Sequence, residues 1–365
     1  MDFTLNETEQ AVSNLAQQIL TDKVSTESLL EMDQAIESDD GEWFARDAYS
    51  ELAKAGLVGV AVSAARGGGG ADLVSLGQVL RAQGCTVAPM PLLNNSLASM
   101  AVDKYDTAGV HDALLAKIID GDATVAIAIQ EYLNDDVAAP MTLLDGDTLS
   151  GTKIVVEFFE DASALLVAAT NSAGKPVLVL VDPASDGVKS TPGRSTRLQP
   201  VHEVEFEAVP ATLLSDDADC IHWLQDHLIT ALCATQLGVT ESALAMTAAY
   251  TSEREQFGRP IATFQAVTQR LADQYINVEG IRLTTANALW RLANDEPASV
   301  EVRVAKYWAS ERAVAIAHAT QHCHGGTGVS VEYPLHRYTL WNKHLATSLG
   351  AGNQTLRELG ALLAS

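Results

Sequence analysis

The segment Arg254-Glu255-Gln256-Phe257-Gly258-Arg259-Pro260-Ile261 lies between two stretches of helical texture. Gly258 can take φ > 0 and Pro260 fixes its own φ, so a turn is expected there. An arginine at 254 can hold a phosphate bidentately, and Gln265, at the start of the next helix, can hydrogen-bond the same group. By spacing alone, an ordinary helix–helix loop with a surface arginine is the simpler account. Gln321-His322-Cys323-His324-Gly325-Gly326-Thr327-Gly328 is a glycine-rich turn after a helix. Paired glycines let a ligand approach the backbone closely, which suits a pyrophosphate or an adenosine. No Gly-Lys-Ser/Thr follows, so it is not a P-loop. A helix C-cap with left-handed glycines explains it equally simply. His318 and His322 stand one turn apart, with Cys323 and His324 beside them, which invites a metal reading. No acidic or cysteine partner at fitting spacing completes a ligand set, so no metal is expected. No Gly-x-Ser-x-Gly elbow is present, which argues against a serine hydrolase of that type.

Three textures surround these segments. Residues 1 to about 118 read as helical: Val12, Leu15, Ile19 and Leu20 suggest one apolar side, and Trp43 to Ala55 and Leu73 to Gln83 repeat the spacing. Gly67 to Gly70 interrupt it, and Pro89 and Pro91 stop it. From about 119 to 215, short apolar runs at Thr124–Ile129, Ile154–Val156, Ala164–Ala168 and Val177–Val181 are separated by turn residues, predicting a small antiparallel barrel or sandwich. From about 216 to 365 the helical pattern returns. Ile221, Trp223, Leu224, Leu228 and Leu232 form one apolar stripe, and Phe264, Val267, Leu271, Tyr275 and Val278 line one face of another helix. The expected division is therefore 1–118 helical, 119–215 β and 216–365 helical.

Composition narrows the function classes. The chain has 365 residues, enough for about two domains. Its 23 basic and 47 acidic residues give a net charge of -24. Phosphate backbones and anionic membranes demand a basic face, and no Lys/Arg-rich run exists, so neither nucleic acid nor a membrane is an expected partner. Cys85, Cys220, Cys233 and Cys323 are scattered without a C-x-x-C and read as thiols in a reducing compartment. The opening residues are acidic and lack an apolar leader, and no run of about 18 apolar residues stands out, so a cytoplasmic location is expected.

Taken together, the motifs resemble the acyl-CoA dehydrogenase family. Arg254-x-x-Phe257-Gly258 with Gln265 is similar to that family's R-x-x-F-G…Q segment. His324-Gly325-Gly326-Thr327-Gly328 followed by Glu332-Tyr333-Pro334-Leu335-His336-Arg337-Tyr338 is similar to its H-G-G-x-G…E-x-P-x-x-R segment. Met1-Asp2-Phe3 and Leu52-Ala53-Lys54-Ala55-Gly56-Leu57-Val58-Gly59 are similar to its N-terminal helices. The resemblance implies a mostly α chain with a central β domain: an N-terminal helical domain, a small β barrel and a C-terminal four-helix bundle. It implies FAD shared at a subunit interface, an acyl-CoA substrate, and an electron-accepting flavoprotein. It assigns cofactor contacts to Arg254, Phe257, Gln265, His322, Gly325 and Gly326. In this chemistry a carboxylate removes the α-proton of the thioester, and the β-hydrogen leaves as hydride to the flavin.

The same resemblance exposes departures. The family's usual base position falls on Gly350, and the alternative position, on an earlier helix, falls on Leu228. Neither side chain can accept a proton, so no catalytic residue is assigned. Asp226 is rotated about 200° from Leu228 around a helix and should face elsewhere. Where the family cradles its own flavin with Thr-Glu-Pro-Gly-Ala-Gly-Ser, this chain has Gln130-Glu131-Tyr132-Leu133-Asn134-Asp135-Asp136. The family's Trp-Ile-Thr falls on Val155-Val156-Glu157. This split pattern is most similar to the flavin-poor subunit of actinobacterial heterotetrameric steroid acyl-CoA dehydrogenases, which completes a site held mainly by a second subunit. Two rivals stay open: a self-sufficient homotetramer with an unrecognised base, which would hold FAD when purified alone, and a structural or binding protein on this fold, which would show no FAD dependence.

Overall fold

The computed structural model describes residues 3–38 and 41–364. Met1-Asp2 of the N-terminal similarity lies outside them. In chain order the helices and strands begin with α1 (Glu7–Lys23), α2 (Thr26–Ser38), α3 (Arg46–Lys54), α4 (Leu73–Thr86), α5 (Leu92–Tyr105) and α6 (Asp112–Ile119). The strands follow: β1 (Thr124–Ala128), β2 (Leu143–Asp145), β3 (Thr148–Glu157), β4 (Ala162–Asn171), β5 (Pro176–Val181), β6 (Val188–Arg194), β7 (Pro200–Pro210) and β8 (Thr212–Ser215). Then come α7 (Cys220–Glu253), the two-residue strands β9 (Glu255–Gln256) and β10 (Arg259–Pro260), α8 (Gln265–Ala293), α9 (Ser299–His324), α10 (Leu335–Thr347) and α11 (Gly352–Ala364). The chain is thus mostly helical with a central sheet.

Two compact units emerge. The helical unit gathers Met1–Ser38, Leu73–Ala88 and Ile229–Ser365; the sheet unit gathers Asp39–Asp72 and Pro89–Leu228. In the sheet unit the strands run β6-β7-β3-β2-β4-β5-β8, with β1 added on β4. Both β1 and β2 lie parallel to β4, so the sheet is mixed rather than purely antiparallel. Its core is aliphatic: Leu149, Val156, Leu165, Val167, Val179, Val204 and Phe206 are buried together.

In the helical unit, α7, α8 and α9 bury Cys233, Leu237, Val278, Ile281, Val302, Ala305, Ala309 and Ile316. α4 and α7 cross at van der Waals limit. A Cβ at Gly84 would stand 1.9 Å from the Thr235 carbonyl oxygen, and one at Gly238 would stand 2.0 Å from that of Arg81. Only glycine fits either place. α7 is 34 residues long and apolar enough to span a bilayer by composition, contrary to the sequence expectation, but 72% of its most apolar window is buried. Apolar residues on every side of a helix suit a core helix as well as a membrane one.

The face of α1 also differs from expectation. Its buried residues are Glu9, Ser13, Ala16 and Leu20, while Leu15 is 41% exposed. Glu9 belongs to a capping box: Asn6 Oδ1 accepts from the Glu9 amide at 3.0 Å and Glu9 Oε2 accepts from the Asn6 amide at 2.8 Å. Small residues let α1 lie close to its neighbour, and packing closeness outweighed the larger Leu15 in choosing the buried side.

Candidate functional site

The turn predicted after Arg254 is a hairpin. β9 and β10 pair antiparallel, with Gln256 opposite Arg259 and Glu255 opposite Pro260. The two central residues both have positive φ, 56° at Phe257 and 77° at Gly258. That combination defines a type I′ turn, whose twist suits tight hairpins. Glycine takes this conformation freely, whereas phenylalanine pays about 1 kcal/mol. Phe257 is nonetheless 93% exposed, so the ring gains little burial in return. Its edge approaches Phe264 at 6.1 Å, and the Arg259 guanidinium lies 4.2 Å over the Phe264 ring.

Ile261 donates its amide to the Arg254 carbonyl at 2.8 Å, closing the hairpin. α8 then starts at Gln265 with no side-chain cap. Its first amides, at Gln265 and Ala266, therefore have no partner within the helix. Arg254 and Gln265 are both exposed, and neither side chain has a hydrogen-bond or ion-pair partner among the described residues.

The glycine-rich turn sits at the end of α9. Gly325 has φ 60° and ψ -137°, a combination that belongs to glycine, and its amide caps the helix on the Gln321 and His322 carbonyls. Gly326 differs. Its φ is not positive and a Cβ there would meet nothing within 4 Å. Among the described residues, neither strain nor packing demands glycine at 326. His322 is exposed at the same helix end.

His324 ties the two segments together. Its Nδ1 lies 2.9 Å from the Thr320 carbonyl, which can only accept, so Nδ1 carries the proton. Its Nε2 then accepts from the Tyr333 hydroxyl at 3.1 Å. Burial pushes the imidazole below its ordinary range, outweighing the Thr320 bond, which keeps the ring neutral. The ring stacks on Tyr250 at 4.2 Å, and the Tyr250 carbonyl accepts the Arg254 amide at 2.8 Å. Arg254, Phe257 and Gln265 thus share one end of the helical unit with His322, Gly325 and Gly326. Burial raises the Cys323 thiol, and Arg270, on the second turn of α8, counters that effect, which places another cation at this end. Sequence reading missed Tyr250 and Arg270 and quoted Tyr333 within a motif without a role, because nothing in their spacing announces the contacts they make with His324 and Cys323.

Arg337, from the second motif, plays a different part. It is buried, pairs with Asp33 and donates to the Leu29 carbonyl, which fastens α10 to α2.

The base positions hold what the sequence shows. Leu228 is 5% exposed. Gly350 has φ 104°, and a Cβ there would press on the Gln354 carboxamide from 3.2 Å. A glutamate at 350 would need both a strained backbone and a displaced Gln354. Asp226 is buried on α7.

The stretch 130–142 is closed upon itself. Glu131 accepts from the amides of Met141 at 2.6 Å and Thr142 at 2.8 Å, from the Thr142 hydroxyl at 2.7 Å, and from Asn134 Nδ2 at 3.0 Å. Lys153 on β3 completes the shell at 2.7 Å, with both side chains buried. Burial pushes the Glu131 carboxyl up, but the Lys153 charge and these bonds overcome it and hold the group at about 2. Burial lowers Lys153 to about 8 despite the Glu131 charge. Glu131 is thus a structural anchor and not the free, phosphate-repelling acid that its place in the acidic stretch suggests. A bulge follows on β3, where Val155 has φ 55° and Glu157 pairs with Arg197 at 2.6 Å.

Comparison with known proteins defines the class. Residues 6–122 match the acyl-CoA dehydrogenase N-terminal domain and residues 227–361 match the acyl-CoA dehydrogenase C-terminal domain. The chain belongs to the acyl-CoA dehydrogenase family, oxidoreductases that act on CH–CH bonds. Among particular relatives, it is 34% identical to acyl-CoA dehydrogenase FadE27 of Mycobacterium tuberculosis, over 100% of this chain and 99% of that protein. Among solved structures, a chain of the Tcur3481-Tcur3483 steroid ACAD shares 40% identity with a TM-score of 0.91, covering 99% of each chain. A chain of the ChsE4-ChsE5 complex from Mycobacterium tuberculosis shares 33% identity with a TM-score of 0.93, covering 100% of this chain and 99% of that one.

Proposed function

We propose that this chain is one subunit of a heteromeric acyl-CoA dehydrogenase, supplying half of an FAD site to a second subunit that carries the catalytic base. The observation that carries the reading is the contrast within the chain's own inventory. Among the described residues, Arg254 and Gln265 are presented outward without side-chain partners, Phe257 is exposed apart from an edge contact with Phe264, and Gly326 has no packing reason of its own, while Leu228 and Gly350 leave both family base positions without an acid. Similarity to subunits of the ChsE4-ChsE5 and Tcur3481-Tcur3483 proteins supports it.

The residues at the open end fit the diphosphate and adenosine side of such a cofactor. Arg254 offers a guanidinium to phosphate oxygens, Gln265 a carboxamide, and the uncapped start of α8 two free amides. Gly325 and Gly326 leave backbone accessible where a Cβ would stand between it and a ligand. His324, kept neutral by burial and oriented by Thr320 and Tyr333, fixes the angle of that turn. When bound, the flavin accepts the hydride that leaves the substrate's β-carbon. Stretch 130–142 does not resemble a flavin cradle: the family's glycines and serine are missing, and Glu131 is turned inward onto Lys153, Met141 and Thr142. From the steroid ACAD similarity we further propose a CoA thioester with a steroid side chain as substrate, and an electron-accepting flavoprotein as redox partner.

The deciding measurement is FAD content after desalting. The chain alone should be colourless, and its complex with a co-expressed second acyl-CoA dehydrogenase subunit should hold one flavin per pair of chains. One flavin per protomer in the isolated chain would sink the proposal and favour a self-sufficient homomeric enzyme.

A further inference from the structure

A cavity of about 220 Å³ lies inside the helical unit, away from the open end. Leu5, Val74, Leu237, Ala286, Leu289 and Trp290 supply much of its apolar lining. Arg282 lies 17 residues along α8 from Gln265, roughly 25 Å at 1.5 Å per residue. A closed apolar void of about 150 Å³ takes benzene, and this partly open pocket has room for a molecule of one or two rings.

Among the described residues, two polar atoms in its wall have no hydrogen-bond partner. Thr285 is 1% exposed, and its hydroxyl makes no hydrogen bond to any described residue. The adjacent Thr284 shows the usual helical behaviour, donating to the Gly280 carbonyl at 2.8 Å. Arg282, one turn from Thr285 on the same face, has its terminal nitrogen on Glu241 at 2.8 Å and on Glu279 at 3.2 Å. Its Nε is buried and unpaired. Glu241 also holds Arg81 at 2.6 Å, so the charges at this wall are already matched. What remains is one hydroxyl and one N–H donor, a turn apart, lining an apolar chamber. Leaving a buried polar group unpaired is costly, and a ligand oxygen placed between the two donors would remove that cost.

We propose that this cavity is a binding site for a small, uncharged, largely apolar molecule carrying a single carbonyl oxygen, received by Thr285 Oγ1 and Arg282 Nε. A carboxylate is disfavoured because the Arg282 charge is already shared by two glutamates. The site rests on its own lining, roughly 25 Å along α8 from Gln265, and does not depend on the substrate proposed above.

The probes are 1-indanone and indane, which differ by the oxygen, titrated calorimetrically into the full chain. The wild type should bind 1-indanone at least five-fold more tightly than indane, the worth of one net hydrogen bond. Thr285→Val, which keeps the shape and removes the hydroxyl, should weaken 1-indanone about five-fold, leave indane unchanged and raise the melting temperature of the free chain. Ala286→Phe, which fills the chamber, should abolish binding of both. The proposal fails if neither probe binds up to its solubility limit, if both bind the wild type equally, if Thr285→Val binds 1-indanone like the wild type, or if folded Ala286→Phe still binds. Should Ala286→Phe not fold, the Thr285→Val comparison alone decides.

Discussion

Stretch 130–142 and the Arg254–Gln265 end treat their polar groups in opposite ways. In the first, one carboxylate gathers two amides, a hydroxyl, a carboxamide and an ammonium inside the protein. In the second, a guanidinium, a carboxamide and the first amides of a helix are left outward. The first arrangement is complete and stabilises the fold. The second is incomplete within the chain, and the strained, exposed Phe257 shows that fold stability did not select it. The contrast separates residues kept for folding from residues kept for something outside the chain.

Substitutions should respect that separation. Glu131→Gln should cost about 3 kcal/mol in urea unfolding, because it strands a buried ammonium. Adding Lys153→Met should recover most of the loss; if the double variant is no better than the single one, the charge pair is not what Glu131 secures. The pair also sets an acid response. Glu131 titrates at about 2 when folded against an ordinary 4.5, so its contribution is complete above pH 4.5 and fades as pH falls towards 2. Glu131→Gln should remove that part of the acid dependence.

An alkaline counterpart lies in the helical unit. Lys306 is buried, donates to the Leu345 carbonyl at 2.8 Å, and is pushed by burial to about 8. Below pH 8 the amine is charged in both states and the fold bears the desolvation cost. As pH rises from 8 to 10.5 the unfolded chain holds more protons, so this residue's penalty is relieved, by up to about 3 kcal/mol. The stability difference between Lys306→Met and wild type should shift in favour of wild type over that window, and a constant difference would refute the burial account.

At the open end the expected pattern inverts. Arg254→Ala should change chain stability by less than about 0.5 kcal/mol, as surface changes do, yet lower flavin retention in the two-subunit complex about ten-fold, the worth of a charged hydrogen bond. Unchanged flavin retention would remove Arg254 from the proposed site. The smallest effect belongs to the bulge: Val155→Gly should stabilise the sheet unit by about 1 kcal/mol by relieving its positive φ.

Much of this was legible in the sequence. The long helices followed from periodicity, the runs 154–156, 164–168 and 177–181 fell on strands, and the run 124–129 did so up to Ala128. β7 was equally readable and passed over: His202, Val204 and Phe206 are buried and Glu203, Glu205 and Glu207 exposed in strict alternation. β6, with sequence Val-Lys-Ser-Thr-Pro-Gly-Arg and almost wholly exposed, carries no apolar signal, since only its pairing with β7 makes it a strand. Tyr275 was placed on an apolar stripe and is 61% exposed, because periodicity reports that a face is apolar but not what covers it. The motif residues were visible by type, while the Tyr250–His324–Tyr333 stack that aligns them depends on helices meeting at a distance in sequence. Lys153 and Lys306 were illegible for the same reason: a lysine's burial depends on partners that spacing does not reveal.

Phe257, Tyr275 and Ile276 give the hairpin and the start of α8 an oily surface. Such a surface makes copies of a chain adhere, and the net charge of -24 opposes this by keeping them apart. The acidity is then a colloidal property that keeps copies of the chain apart. Near pH 4.6, where the charge vanishes, that protection is gone. Light scattering should rise there, and replacing Phe257 with serine should blunt the rise.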